Sequence, residues 1–278
     1  MPTVTALPTL NLLGAGRVGR ALGRLWHTQG VLRLQDVLTT SSASAQAAVD
    51  FIGSGRPASS LDDMRPADYW LIAVPDRQIA ASARALVSAG LPPAIAFHAS
   101  GALAAAELAP LQAAGWQVAS AHCILSFATP ATAVQQFAGT PCALEGDAQT
   151  VAALQPLFAA IGAHCFTLPS ADKLRYHAAA VFATNFLPVL QATAEALWQD
   201  SGVPAELLPQ LRANLLRHAV DNLLALGPAG ALTGPAARGD TALAQRQGQA
   251  VAAWDAQAGA AYAALSELAA RLARDGRL

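Results

Sequence analysis

Apolar positions along this chain follow two regimes that change over near residue 169. In the first, short continuous apolar runs alternate with segments whose apolar residues recur every three to four positions. Buried strands alternating with amphipathic helices read this way. Leu10 to Leu13 is the first run; it stops at Gly14, and Ala21, Leu22, Leu25 and Trp26 then mark a helix. Asp36 to Thr40 predicts a second strand, followed by a helix over 43–51 and a loop over 53–60 with a short third strand expected near 58–61. Tyr69 to Val74 is an unbroken apolar run closed by Pro75-Asp76, with Asp76 capping a helix that continues through Val87. Residues 94–98, 116–120, 141–144 and 164–168 predict further strands. Helices are expected from Ser100-Gly101 to about Leu111 and over 149–161. Such alternation implies a mostly parallel, doubly wound sheet.

From Ser170 onward the strand-like runs disappear. Ser170 is placed to N-cap a long helix reaching about Gln199 and interrupted at Pro188. Gly202-Val203-Pro204 restarts a helix to about Leu226, a loop rich in Gly and Pro covers 227–240, and two helices fill 241–274. The expected fold is therefore α/β: a Rossmann-type doubly wound sheet over residues 1–168, then an all-α domain over 169–278.

The first strand runs straight into Gly14-Ala15-Gly16-Arg17-Val18-Gly19, a G-x-G-x-x-G between a strand and a helix. Gly14 permits a tight turn, Gly16 lets backbone approach phosphates, and Gly19 lets the helix pack on the strand. The helix N-terminus that results is a seat for a pyrophosphate; a tight βα turn without a ligand is the plainer alternative. An NAD site usually carries an acidic residue at the end of the second strand. Here Thr39-Thr40-Ser41-Ser42 stands there and Asp36 lies at the other end, so the expectation is NADP rather than NAD. Thr40, Ser41 and Ser42 would receive the adenosine phosphate, Arg17 could swing over the adenine side, and the Val74-Pro75 loop completes the cofactor side.

Composition narrows the class. The chain is 54% hydrophobic and 13% charged with a net charge of −1, which supplies a large core and argues against a disordered or nucleic-acid-binding protein. The basic residues are scattered, and no basic n-region followed by a long apolar block opens the chain, so no signal peptide is expected; the apolar run from Tyr176 to Leu190, broken by His177, Asn185 and Pro188, reads as a buried helix and not a membrane span. Cys123, Cys142 and Cys165 lack C-x-x-C spacing and read as buried small residues in a reducing, cytoplasmic setting.

For the chemistry, loops at the carboxyl ends of strands are the natural place. Ser100 and Gly101 could offer a hydroxyl and a backbone N–H to a substrate carboxylate or carbonyl, although Ser100 could equally be a helix N-cap. His98 reads as a hydrogen-bonded core histidine; His122 could face the same cleft, but no third metal ligand accompanies these two, so no metal is expected. Lys173 and His177 are spaced i, i+4 and share a helix face, where an ammonium and a hydrogen-bonding partner could stabilise a developing alkoxide.

Several of these stretches together resemble a Rossmann-like family with a helical C-terminal domain of unknown function. That family is related to the 6-phosphogluconate dehydrogenase, β-hydroxyacid dehydrogenase and pyrroline-carboxylate reductase group. The matching stretches are GAGRVG at 14–19, AVPD at 73–76, HASGAL at 98–103, GWQVASAH at 115–122, KLRYHAAAVFATN at 173–185 and LTGPAARGD at 232–240. The relatives carry a catalytic Lys followed four residues later by Asn; this chain has Lys173 and, in the Asn place, His177. It also has His122-Cys123 where His-Pro is expected. The resemblance implies an NADP-linked oxidoreductase whose helical domain closes the cleft and makes a homodimer. Lys173, His177 and Ser100 would surround the reacting centre. The LTGPAARGD loop would serve a small, anionic substrate, with Arg238 contacting it and Thr233 either orienting it or satisfying the loop backbone; Asp240 reads as the N-cap of the next helix rather than as a partner of Arg238. The expected reaction is hydride transfer to or from a carbonyl, hydroxy or imine metabolite. The alternative is a dinucleotide-binding sensor without turnover, and reduction through a flavin-type partner has no support in these residues.

Overall fold

The structure, a computed structural model, describes residues 6–278 and divides them into two compact units at Val181/Phe182. The first unit is built on eight strands: β1 (Thr9–Leu13), β2 (Arg33–Leu38), β3 (Arg56–Ala58), β4 (Tyr69–Ile72), β5 (Ile95–His98), β6 (Gln117–Cys123), β7 (Pro141–Gly146) and β8 (His164–Thr167). Their order in the sheet is β3-β2-β1-β4-β5-β6-β7-β8. All neighbours are parallel except β6 and β7, which are antiparallel. The first six strands give the doubly wound order with its switch point between β1 and β4, where such sheets open a crevice at their carboxyl ends.

The connecting helices are α1 (Arg17–Thr28), α2 (Ser42–Ile52), α3 (Asp76–Ser88), α4 (Ala109–Ala113), α5 (Pro130–Gln136) and α6 (Ala148–Ala159). Their ends follow local chemistry. Ser41 Oγ accepts from the Ser44 N–H to start α2, Gly53 ends it at a positive φ of 84°, and Asp147 starts α6 by accepting from the Thr150 N–H. Apolar side chains fill both sides of the sheet. On one, Trp26 meets the edges of Phe97 and Phe158 and donates its indole N–H to the Leu157 carbonyl at 2.9 Å; on the other, Trp70 packs edge-on against Trp116.

Asp36 is wholly buried. It accepts from the Arg65 backbone and guanidinium and from Arg56 Nε at 2.7–3.1 Å. Burial alone would raise its carboxyl, but the hydrogen bonds from Arg65 and Arg56 outweigh burial and hold it at about 2. Asp36 thus ties β3 and the loop before β4 to β2 and does not serve a ligand. The cysteines line up across adjacent strands, with Cys123 opposite Cys142 and Cys142 opposite Cys165; all three are free, Cys123 and Cys142 buried and Cys165 half-buried.

Several expectations shift. The third strand lies at 56–58, ahead of the 58–61 region read from the sequence. Ser100-Gly101 does not open a helix; a 3₁₀ turn at Ala105–Leu108 and the short α4 follow instead. Ser170 is not a helix cap: its hydroxyl donates to Glu145 Oε1, and a 3₁₀ turn at Ser170–Asp172 leads into α7 (Lys173–Ala180). The long helix expected to Gln199 is broken by a π turn at Val181–Asn185, and Pro188 lies just beyond it, where it cannot supply the N–H of a regular helix.

The second unit is helical: α8 (Phe186–Asp200), α9 (Leu208–Ala231), α10 (Thr241–Trp254) and α11 (Ala256–Asp275). Gly227, at φ 70° and ψ 173°, interrupts α9. Asp240 and Asp255 accept from backbone N–H groups to start α10 and α11. No helix among the described residues is long and apolar enough to cross a membrane.

Candidate active site

At the switch point the turn after β1 builds a cradle. Gly14 has φ +83°, and a Cβ there would lie 2.7 Å from the Ala73 carbonyl oxygen. At Gly16, by contrast, a Cβ would meet nothing within 4 Å, so the backbone faces open space. Gly16 is also the N-cap of α1 and brings no capping side chain, which leaves the first N–H groups of the helix for an anion. Gly19 packs tightly, with a Cβ falling 3.0–3.2 Å from Gly14, Ala73 and Leu12.

A cleft of about 610 Å³ opens on this cradle. Of the residues the sequence assigns to the cofactor, Gly14, Ala15, Gly16, Arg17, Thr40, Val74 and Pro75 line it, and Val18, Gly19, Ser41 and Ser42 do not. Ser41 is spent capping α2, so its neighbours Thr39 and Ser44 supply the hydroxyls in its place. The sequence reading also missed Arg20, one helix turn beyond Arg17, whose Nε donates to the Ala15 carbonyl at 2.9 Å. Among the described residues, the lining therefore combines two guanidiniums with hydroxyls and contains no carboxylate. That donor set can hold the phosphates of a dinucleotide.

Beside the cleft a polar cluster is assembled from strand ends and α7. Asp76, next to the lining residue Pro75, accepts from Ser100 Oγ at 2.8 Å; the same Oγ accepts from the Leu103 N–H at 3.0 Å. The hydroxyl thus fixes the turn after β5, and no helix starts there. His98 is fully buried, with Nε2 3.0 Å from the Ala104 carbonyl and Nδ1 accepting from the Ser100 N–H at 3.2 Å. Burial lowers its pKa, so it stays a neutral core histidine that shapes the loop.

Lys173, the first residue of α7, is only 1% exposed; its ammonium donates to the Ser100 carbonyl at 3.1 Å and to Ser120 Oγ at 2.6 Å. Burial pulls the ammonium below the usual lysine range, while the Glu145 and Asp76 carboxylates oppose that shift. Lys173 is also the sole lysine of the chain, against sixteen arginines. Unlike the sixteen arginines, it carries a compact ammonium that can lose its proton. This count is read directly from the sequence.

One turn on, His177 stands 5.7 Å from His122, ring to ring, and its Nδ1 is buried without a hydrogen-bond partner. His122 Nδ1 is hydrogen-bonded to the Tyr176 hydroxyl at 2.8 Å. Burial, then the neighbouring His177 and Lys173, push His122 down to about 4; burial also pushes the Tyr176 phenol up. Both are neutral near pH 7. Gly101 is the floor under this pair: a Cβ there would fall 2.5 Å from His177 Nδ1 and 2.8 Å from the His122 ring. The structure therefore brings Lys173, His177, Ser100 and Gly101 together with His122, which the sequence allowed to face this cleft, and with Tyr176, Ser120 and Glu145, which the sequence reading had not placed there. Thr233 and Arg238 lie in the second unit, exposed on the loop before α10. No group of three or more metal-ligating side chains occurs among the described residues.

A doubly wound sheet with a glycine-rich cradle at its switch point defines a Rossmann-type dinucleotide fold. The comparisons give the same class: residues 6–122 match the Rossmann-like domain, and residues 140–269 match a domain of unknown function, DUF2520. The chain thus joins a Rossmann-like domain to a DUF2520 domain, the arrangement its motifs resemble. No curated protein matches it. Among solved structures, protein TM1727 from Thermotoga maritima is 24% identical with a TM-score of 0.77, over 97% of this chain and 100% of that one. BF3122 from Bacteroides fragilis, described as a candidate NADP oxidoreductase, is 20% identical (TM-score 0.72, 96% and 99%). A reductive aminase from Aspergillus terreus in complex with NADPH and ethyl-5-oxohexanoate is 19% identical (TM-score 0.64, 98% and 95%). At these identities the likeness establishes a shared fold.

Proposed function

We propose that this protein is an NADP-dependent oxidoreductase acting on a small, anionic carbonyl, hydroxy or imine metabolite, and that it works in the cytoplasm as a homodimer through its helical unit. The observation that carries the reading is the cleft at the β1/β4 switch point: an open glycine turn, two guanidiniums, hydroxyls and no carboxylate. The NADPH bound by the reductive aminase of the same fold supports it. NADP, when bound, supplies or accepts a hydride. The residues of the chain do the rest. The turn at 14–16 and the start of α1 hold the pyrophosphate, and Arg17, Arg20 and Thr40 hold the added phosphate. Lys173 has one N–H beyond the two donated to Ser100 and Ser120, and it offers that N–H to the substrate oxygen or nitrogen as the proton donor. His177 Nδ1, also buried without a hydrogen-bond partner, orients the same atom. Gly101 offers its backbone to the substrate.

Titration of intrinsic fluorescence, using the five tryptophans, with NADPH and separately with NADH tests the cofactor. NADPH is expected to bind at least about tenfold tighter, with Arg20→Ala removing most of that preference. Equal binding would overturn the assignment to NADP, and no binding of either would overturn the reading altogether. A second reading, a dinucleotide sensor without turnover, draws on His177 standing where catalytic relatives carry Asn. Oxidation of NADPH in the presence of keto acids, aldehydes or imines decides between them. If any is reduced, Lys173→Met is expected to abolish turnover while cofactor affinity stays within about threefold.

A further inference from the structure

Behind Lys173 lies a second buried ion. Glu145 is only 4% exposed and sits on β7 directly across from Ser120 of β6, the antiparallel pair at the end of the parallel sheet. Its Oε2 accepts from the Ser120 hydroxyl at 2.9 Å and from the Ala105 N–H at 2.7 Å; its Oε1 accepts from the Ser170 hydroxyl at 2.6 Å. Ser120, itself fully buried, accepts from Lys173 Nζ at 2.6 Å. Donors therefore run one way, from ammonium to hydroxyl to carboxylate. Either ion alone would be costly at this depth, and a carboxylate with no cation in direct contact needs its compensation one bond away.

We propose that Glu145 is the positioning residue for Lys173, anchoring the ammonium at the reacting centre through the Ser120 hydroxyl. The geometry gives it three functions. Ser120 cannot turn away, because its proton is committed to Glu145 and its lone pair faces Lys173. The start of α7 is tied down, because Ser170, three residues ahead of Lys173, is bound to the other carboxylate oxygen. The negative charge favours the protonated ammonium, in company with Asp76 at the start of α3, while the Cys142 thiol on β7 and the rings of His98 on β5 and His122 on β6 are neutral and add no charge. The antiparallel turn of β7 is what makes this possible, since it sets Glu145 opposite Ser120.

The inference rests on reading Lys173 as the ammonium of the reacting centre, but its test does not depend on turnover. Since Lys173 is the sole lysine, biosynthetic labelling with ¹³C,¹⁵N-lysine gives one side-chain signal, and its chemical shift against pH reports its ionisation directly. Glu145→Gln removes the charge and keeps the shape: the amide oxygen can accept from Ala105 and Ser120, and the amide nitrogen can donate to Ser170 Oγ. In full-length protein, Glu145→Gln is expected to lower the Lys173 titration midpoint by about one pH unit or more. Ser120→Ala is expected to lower it less and to restore the fast side-chain motion of a free lysine. NADPH affinity should stay within about twofold in both variants, since the cleft is built by β1, α1 and β4. A midpoint within about 0.2 pH unit of the wild type in either variant would overturn the inference. Should Glu145→Gln fail to fold, Ser120→Ala decides alone. Loss of turnover in Lys173→Met with an unmoved Lys173 signal in Glu145→Gln would sink the positioning role and leave the oxidoreductase reading intact; full turnover in Lys173→Met would do the reverse.

Discussion

In residues 6–181, Trp26, Trp70, Phe97, Phe137 and Phe158 are almost inaccessible to solvent, whereas between 182 and 278 only Leu208 and Gly259 are buried. The second region is no less apolar. Along α8 and α9, Phe186, Val189, Leu215, Val220, Leu223 and Leu226 are all exposed, and Leu224 is 82% exposed. The first region therefore carries its own core. The second presents a broad apolar face of the kind that soluble chains cover with another surface. A second copy of the chain is the occupant consistent with the proposed homodimer, because a symmetric interface can cover both faces at once.

The sharpest way to break this comparison is to truncate the first core. Phe97→Ala is expected to cost about 3–5 kcal/mol, because the cavity between Trp26 and Phe158 cannot collapse; the denaturant midpoint measures it. In the second region, charge does what truncation cannot. Leu223→Asp with Leu224→Asp is expected to weaken self-association by about 100-fold, equivalent to about 3 kcal/mol, read by sedimentation equilibrium. A wild-type protein that is monomeric at micromolar concentration would remove the proposed dimer. Next in size is the ionic tie within the first region. Asp36→Ala is expected to cost about 2–3 kcal/mol, less than a fully buried pair because Arg56 and Arg65 remain half in solvent.

The same carboxylate sets an acid limit. Its pKa is lowered on folding, so its contribution is complete above the unfolded value near 4 and is lost as pH falls toward about 2. Stability in the wild type should fall through that window by about 1–2 kcal/mol more than in Asp36→Asn, by thermal melts at each pH. The smallest effect is local. Gly101→Ala is expected to cost about 1–2 kcal/mol by forcing His177 and His122 apart, and histidine-ring chemical shifts should move for those two residues and not for His27 or His218.

Much of the first region could be read from the chain. Strands buried on both faces show as unbroken apolar runs, and the glycine spacing at 14, 16 and 19 announces a βα turn whatever surrounds it. A cap was legible where a polar residue had one partner available, as at Asp240, but not at Asp76, whose carboxylate accepts from Ser100 and caps nothing. Caps were illegible where a distant partner competed: Ser170 has the composition of a cap, but Glu145, 25 residues away, takes its hydroxyl. Asp36 likewise has the look of a cofactor residue at the wrong end of its strand until Arg56 and Arg65 close around it.

By itself, then, the sequence determined the alternating strand and helix order, the cradle at Gly14 to Gly19, the absence of an acidic residue after β2, and the singularity of Lys173. These are properties of near neighbours in the chain or of composition, and they survive any tertiary arrangement. Only the folded structure decided that β7 runs antiparallel, that Arg20 joins Arg17 in the cleft, and that Glu145, Ser120 and Lys173 form one line. The last of these depends on contacts between residues 25 to 73 positions apart, which sheet register and the burial of charge select together and which no local pattern encodes.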